Sequence, residues 1–320
     1  MNDPRLFIPE SVSDAAREIM TPLGQLFAAM PARAIPSTVE AFDEAAKAAA
    51  VFQKSFTAGK VAMLDPAIVP GELGGIPIIE LTPKGWRDDG TALIYVHGGG
   101  FVQGSADSCL LLAALMAQRS ARRVVSIDYT LAPRADYNAI TDEIIKVYDA
   151  LLTSHAPTAI GLFGESAGGA IVAGAVLKLR ARGIALPAGL VLMSPVTDLT
   201  CDGDTHVTLA PYEFIGADHL RAAYQAFAPG GYAMDPVASP VRGNFAAGFP
   251  ATLIQVGTRE RLLSDSVRLH RAIRAAGGTA MLDVYDGMPH VFQQMVPDAP
   301  EGLQAWTEIR QFWDRWLESS

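Results

Sequence analysis

Six short apolar runs, "ALIYVHGGG" (92–100), "RVVSIDYT" (123–130), "AIGLFGES" (159–166), "AGLVLMSP" (188–195), "ATLIQVGT" (251–258) and "AMLDVYDG" (280–287), are separated by stretches with helical periodicity. Continuous apolar runs of this length suit strands covered on both faces. Their alternation with helices predicts an α/β fold with a mostly parallel central sheet flanked by helices. At 320 residues, half of them hydrophobic, the chain fits one large core with an accessory segment better than several small domains.

The intervening segments support this reading. "GGAIVAGAVLKLRARG" after the third run is apolar at helical spacing and ends in basic residues and Gly183, as a helix C-terminus prefers. "SDSVRLHRAIRAAGG" is a second such helix. "APEGLQAWTEIRQFWDRWLES" closes the chain, with Leu303, Trp306, Ile309, Phe312, Trp313 and Trp316 expected on one stripe. "VPGELGGIPIIELTPKGWRDDG" is expected to form an edge hairpin leading into the core. Ahead of it, Ser37 and Glu40 suggest a capping box, followed by an amphipathic helix through Val39, Phe42, Ala46, Ala49, Phe52 and Phe56. An earlier periodic stretch holds Val12, Ile19, Leu23, Phe27 and Met30, with Pro22 expected to start or kink a helix. Residues 1–62 therefore read as a helical cap and 63–320 as a catalytic domain with an insertion near 200–235. The alternative is that the two helices only complete the flank of the sheet.

Composition narrows the function classes. Asp and Glu number 34 against 25 Lys and Arg, a net charge of −9, and no basic cluster is interleaved with aromatic residues, so nucleic acid is not an expected partner. The opening "MNDPRLFIPE" lacks a basic segment leading into an apolar run, and no eighteen apolar residues are consecutive, so neither export nor a membrane span is expected. Cys109 and Cys201 have no metal-ligand spacing and suit reduced thiols, which points to a cytoplasmic protein.

The chemistry centres on "GESAGG", a G-x-S-x-G match between a buried strand and a helix. A serine hydroxyl needs a base to take its proton, and the oxyanion that its attack creates needs fixed N–H donors. The donors are sought in "HGGG", His97, Gly98, Gly99 and Gly100, where a strand gives way to a loop and glycines let backbone amides approach a ligand. A plain turn or a phosphate cradle is the other reading of such a run, but no G-x-G-x-x-G or Walker pattern accompanies it. Of six histidines, His290 in "DGMPH" follows a strand and falls on the same sheet edge as the glycine loop and the serine turn, because parallel strands send their C-terminal ends one way. An acid must hold its imidazole. Glu260, directly after a strand, is the preferred candidate, with Asp265 the runner-up and Asp198 third; Asp265 or Ser264 is also a candidate helix N-cap.

Taken together, "YVHGGGF", "DYTLAP", "GESAGG", "SPVTDL" and "DGMPHVF" resemble the α/β-hydrolase fold and, within it, the bacterial hormone-sensitive-lipase-like esterases, over roughly residues 70–318. The resemblance implies a carboxylesterase acting on short- to medium-chain acyl esters through Ser166, Glu260 and His290, without metal or cofactor. It also implies that Gly99, Gly100 and Ala167 donate the oxyanion N–H groups and that an N-terminal helical cap covers the site. Cap and loop residues Phe7, Leu23, Phe27, Phe42 and Phe101, with Glu165 and the 206–220 segment, are expected around the substrate. The chain departs from the family in three places: Glu260 and Glu165 stand where Asp is usual, and "RADYNAI" replaces a proline-rich run after "LAP". The stretch 256–278 is also similar to family members that open monoterpene-type lactones, the first rival reading. The second is a non-catalytic receptor on the same fold, against which the presence of His290 argues. The resemblance also suggests a homodimer, with "MLDVYDG" able to pair across a two-fold axis.

Overall fold

The computed structural model describes residues 3–31 and 34–318. Eight strands, β1 (Ala67–Leu73), β2 (Ile76–Thr82), β3 (Ala92–Val96), β4 (Arg123–Ile127), β5 (Ile160–Glu165), β6 (Gly189–Met193), β7 (Ala251–Gly257) and β8 (Ala280–Tyr285), form one sheet in the order β1-β2-β4-β3-β5-β6-β7-β8. All six apolar runs are strands, and β3 to β8 pair in parallel. β1 and β2 are the expected edge hairpin, turning at Gly74 and Gly75, and β2 joins β4 antiparallel. β3, β5, β6 and β7 are buried at every position, as the lack of polar alternation in their sequences requires.

The helices are α1 (Asp14–Ala29), α2 (Val39–Leu64), α3 (Leu110–Ser120), α4 (Tyr137–Leu151), α5 (Ala167–Ala181), α6 (Thr205–Thr208), α7 (Ala217–Phe227), α8 (Leu263–Ala275), α9 (Phe292–Met295) and α10 (Pro300–Trp316). One core cluster gathers Ile144, Tyr148, Val172, Val176, Leu269 and Ile273 from α4, α5 and α8 with side chains of the sheet. A second sets Leu112 and Met116 of α3 and Trp306, Trp313 and Phe312 of α10 against Leu93, Phe163 and Val191. These two clusters cover the two faces of the sheet. Each fully buried aromatic there contributes about 2–3 kcal/mol of apolar burial.

Three local expectations are corrected. The second helix is capped by Thr38, whose Oγ1 accepts the Ala41 N–H, rather than by a Ser37–Glu40 box; a Ser-Thr pair offers two caps one residue apart, and Val39 is already helical. α1 runs through Pro22 without a break, because its apolar side, Ala16 and Met20, is already fixed against Tyr285, Met288 and Phe292. Leu303 lies off the buried stripe of α10, at 43% exposure, whereas Trp306, Ile309, Phe312 and Trp313 are buried. The "RADYNAI" departure has a partner in α2: Arg134 pairs with Asp43.

Candidate active site

Every residue from Ala159 to Leu179 is buried except Ser166. β5 ends at Glu165 and α5 begins at Ala167, so the serine occupies the whole turn, at φ 53° and ψ −120°, a region that costs a non-glycine residue of order 1–3 kcal/mol. The turn is held by its backbone: Ser166 N donates to Met193 O at 2.9 Å, and Ser166 O accepts from Gly169 N at 3.1 Å and Val196 N at 2.9 Å. Gly168 is required by close approach, since a Cβ there would lie 2.0 Å from Val96 O. The elbow thus packs directly on the end of β3, where the glycine loop begins.

That loop lies against the serine. A Cβ on Gly98 would meet Ser166 Cβ at 3.2 Å, and Gly99, at φ 104°, has Gln103 O where a side chain would stand. Among the described residues no hydrogen bond takes up the N–H of Gly99 or Gly100, and Ala167, the first residue of α5, has no carbonyl four residues back in its helix. His97 is not a free base: it is fully buried, stacks on Tyr129 with ring centroids 4.2 Å apart, and is pushed down to about 4 by burial. Tyr129 in turn donates to His97 O at 2.9 Å.

Glu165 supports the loop from beneath. Its Oε1 accepts the Gly98 N–H at 2.7 Å and the Tyr95 hydroxyl at 3.0 Å, so the side chain is engaged by the loop rather than forming a pocket wall. Burial raises its pKa to about 7, against the opposing pull of those two hydrogen bonds. Phe101, at φ 72°, is fully buried and stacks on Phe227 of α7 with centroids 3.8 Å apart, with Tyr224 edge-on at 6.0 Å.

On the other side of the elbow, the ends of β7 and β8 meet. His290 Nδ1 lies 2.7 Å from Glu260 Oε2, while Glu260 Oε1 accepts Ser194 Oγ at 2.7 Å and Gly257 N at 2.8 Å. Ser194, just past β6 at φ 47°, also accepts the Val291 N–H at 3.1 Å, tying the histidine loop to the acid turn. Ser194 belongs to the "SPVTDL" motif, whose sequence carries no sign of this role beyond the place of a serine at a buried strand end. Burial works to lower the pKa of His290, but its bond to Glu260 and the charges of Glu260, Glu213 and Glu165 prevail and raise it. Glu213 was also missed, because it lies in an irregular segment with no motif around it.

Asp265, the alternative acid, is engaged elsewhere. Its Oδ2 accepts Thr197 N at 2.7 Å and Asp198 N at 3.0 Å, and its Oδ1 lies 2.7 Å from His206 Nε2. It lies inside α8, which starts at Leu263, so neither it nor Ser264 is the N-cap. Asp198 binds Arg242 and Arg268. Of the expected pocket residues, Phe27 packs on Phe214 at 5.6 Å, Leu23 is half-buried, Phe42 belongs to the main core, and Phe7 is 59% exposed beneath the Arg259 guanidinium. Two surface clefts of about 410 and 390 Å³ share Pro83–Trp86, on the loop entering β3 and so at the sheet edge opposite the serine. No helix of the described residues is long and apolar enough to cross a membrane.

Comparison with known proteins places the chain in a family. A family described as having the alpha/beta hydrolase fold matches residues 93–294. An acetyl-hydrolase of Streptomyces hygroscopicus is 33% identical over 221 residues, 68% of this chain and 74% of that protein. An ethyl acetate hydrolase of Pseudomonas putida is 30% identical over 224 residues, 67% of this chain and 70% of its own length. The crystal structure of an esterase from the bacterial hormone-sensitive lipase family superposes with a TM-score of 0.84 at 30% identity, covering 96% of this chain and 99% of that one.

Proposed function

The chain belongs to the α/β-hydrolase family and, within it, to the hormone-sensitive-lipase-like carboxylesterases, and from that premise we propose that it hydrolyses short-chain acyl esters through Ser166, His290 and Glu260. The observation that carries the reading is the 2.7 Å contact of His290 Nδ1 with Glu260 Oε2. An imidazole whose Nδ1–H is committed to a carboxylate presents the lone pair of Nε2 as a base.

His290 removes the Ser166 proton as Oγ attacks the ester carbonyl, and the N–H groups of Gly99, Gly100 and Ala167 hold the oxyanion. The imidazolium then protonates the leaving alcohol as the C–O bond breaks. Water repeats the sequence on the acyl-enzyme, returning the serine proton and releasing the acid. Short acyl groups are favoured by the Phe101–Phe227 stack and Tyr224, which fill space next to the glycine loop. The similarity to an acetyl-hydrolase and an ethyl acetate hydrolase points the same way.

The test is the initial rate on p-nitrophenyl esters from acetate to palmitate, for the wild type and Ser166→Ala. The expected result is a rate highest at acetate to butyrate and reduced at least ~10⁴-fold in the variant. Equal rates in the two proteins would remove Ser166 from the mechanism. Inertness toward every ester, with ring opening of an ε-lactone, would move the reading to lactone hydrolysis.

A further inference from the structure

The segment between β6 and β7 brings one uncommitted carboxylate to the site. Glu213 follows a short 3-10 turn, Ala210–Tyr212, and stands between two aromatic residues already engaged by other partners. Arg259 lies over the Tyr212 ring at 5.0 Å; Phe214 packs on Phe27 and under Arg5, at 5.6 and 5.2 Å. With its neighbours so engaged, Glu213 turns to the acid turn. Its Oε1 accepts the N–H of Arg261, the residue after Glu260, at 3.0 Å.

Among the described residues, Glu213 Oε2 makes no hydrogen bond or ion pair, and the residue is half-buried. Neither nearby guanidinium hydrogen-bonds it, although the Arg261 charge acts on it through space. Arg261 donates to Ala210 O at 3.3 Å and Arg259 to Pro4 O at 3.0 Å. Of the other carboxylates acting on His290, Glu260 is committed to Ser194, Gly257 and the histidine itself, and Glu165 gives Oε1 to Gly98 and Tyr95 while its Oε2 is sealed in the interior without a partner, so Glu213 is the one of the three that is not buried. Glu213 and His290 are close enough for their charges to interact, and burial raises the Glu213 carboxyl above its ordinary value.

The imidazole hands its proton to the leaving oxygen, so the alcohol part of an ester lies on the histidine side of the site, the side to which the Arg261 contact brings Glu213. We propose that Glu213 is a specificity-determining residue: its free carboxylate oxygen selects esters of cationic or neutral alcohols and rejects those whose alcohol carries an anionic group. The proposal rests on the ester-hydrolase reading above. One partly screened charge pair changes relative rates by about three- to tenfold, and electrostatic complementarity of this kind acts chiefly on selectivity.

Three acetates of one shape test it: acetylcholine, its neutral isostere 3,3-dimethylbutyl acetate, and the anion 4-acetoxy-2,2-dimethylbutanoate. Relative kcat/KM is measured at low salt for the wild type, Glu213→Gln and Glu213→Asp. Gln keeps an oxygen for the Arg261 N–H but loses the charge; Asp keeps the charge. The wild type is expected to rank cationic over neutral over anionic, with the cationic-to-neutral ratio falling about three- to tenfold in the Gln variant and surviving in the Asp variant. Ratios identical in all three proteins would overturn the proposal, including the case in which every rate drops alike and Glu213 only holds the turn. If the wild type hydrolyses none of the neutral acetate, the ester-hydrolase reading itself has failed.

Discussion

Two histidine–carboxylate pairs of the same 2.7 Å length occur in this molecule, and their carboxylates, Glu260 and Asp265, are five residues apart. In the first, the His290 side chain is 21% exposed and sits on a strand-end loop within electrostatic reach of Glu165, the neighbour of Ser166. In the second, the His206 side chain is 4% exposed and its imidazole also feels the nearby Cys201 side chain. Asp265 further closes the turn after β6 by accepting two backbone N–H groups. A histidine held by a carboxylate therefore does not define a site; what faces the other side of the ring does. The first pair stands within electrostatic reach of the carboxylate next to Ser166, whereas the second lies among packed side chains and latches α6 to α8.

Removing one charge from each pair should separate the two roles most sharply. Glu260→Gln keeps an oxygen for Ser194 and Gly257 but removes the charge facing His290, and kcat should fall about 10³–10⁴-fold with little change in melting temperature. Asp265→Asn leaves a buried histidine uncompensated and presents N–H groups where acceptors are needed. It should cost about 3 kcal/mol, a drop in Tm on the order of 5–10 °C, with kcat of the folded protein retained within about tenfold. Steady-state kinetics beside thermal melts would decide it, and the opposite assignment of losses would mean that Asp265 is the acid.

The legible parts of the chain are those where one physical demand selects one residue type. Strands buried on both faces need unbroken apolar runs, so β3, β5, β6 and β7 could be read directly, while β4 and the edge strand β8, half-buried in its middle, followed from the alternation with helices. A loop whose backbone must face a ligand needs glycines, so His97–Gly100 stood out. The illegible parts are those where several residues satisfy the same demand. Thr38 could replace Ser37 as a cap because both carry a hydroxyl, and Pro22 could stay within α1 because packing outweighed one lost hydrogen bond. Asp265 and Glu260 both follow β7, and only the fold of the 197–206 segment draws Asp265 away toward His206. Ser194 and Glu213 act through long-range contacts with no local periodicity, so no sequence window contains their partners.

A pH series distinguishes the pairs by sign. His290 must be neutral to accept the serine proton, and its raised pKa places the acid limb of kcat/KM above 6.5. A rate on its plateau well below that value would exclude His290 as the base. His206 acts on stability instead. Burial opposes its charge, but Asp265 and Cys201 prevail and raise it to about 10. A group with a folded pKa above its unfolded value of about 6.5 stabilises fully below that pH, and the contribution is lost as pH rises toward about 10. The Tm of the wild type should therefore decline between these values by a component that His206→Phe lacks, while the acid limb of activity stays in place.

Glu260→Asp makes the smallest and most discriminating change, because it alters reach without altering charge. Glu260 divides its two oxygens: Oε1 receives Ser194 Oγ and Gly257 N, and Oε2 faces His290. A side chain one methylene shorter, rooted at the same backbone position, cannot serve both sets at these lengths. Either the carboxylate follows Ser194 and Gly257 and its hold on the imidazole weakens, or it follows the histidine and abandons a buried hydroxyl and amide. In the first case kcat should fall about tenfold, the acid limb should move down as the His290 pKa relaxes, and Tm should hold. In the second, activity should persist while stability drops by about 1–3 kcal/mol for the unsatisfied groups. Parallel measurement of the pH–rate profile and the melting curve of this one variant identifies which demand shapes the acid turn, and a variant unchanged in both would show that the turn moves to accommodate either length.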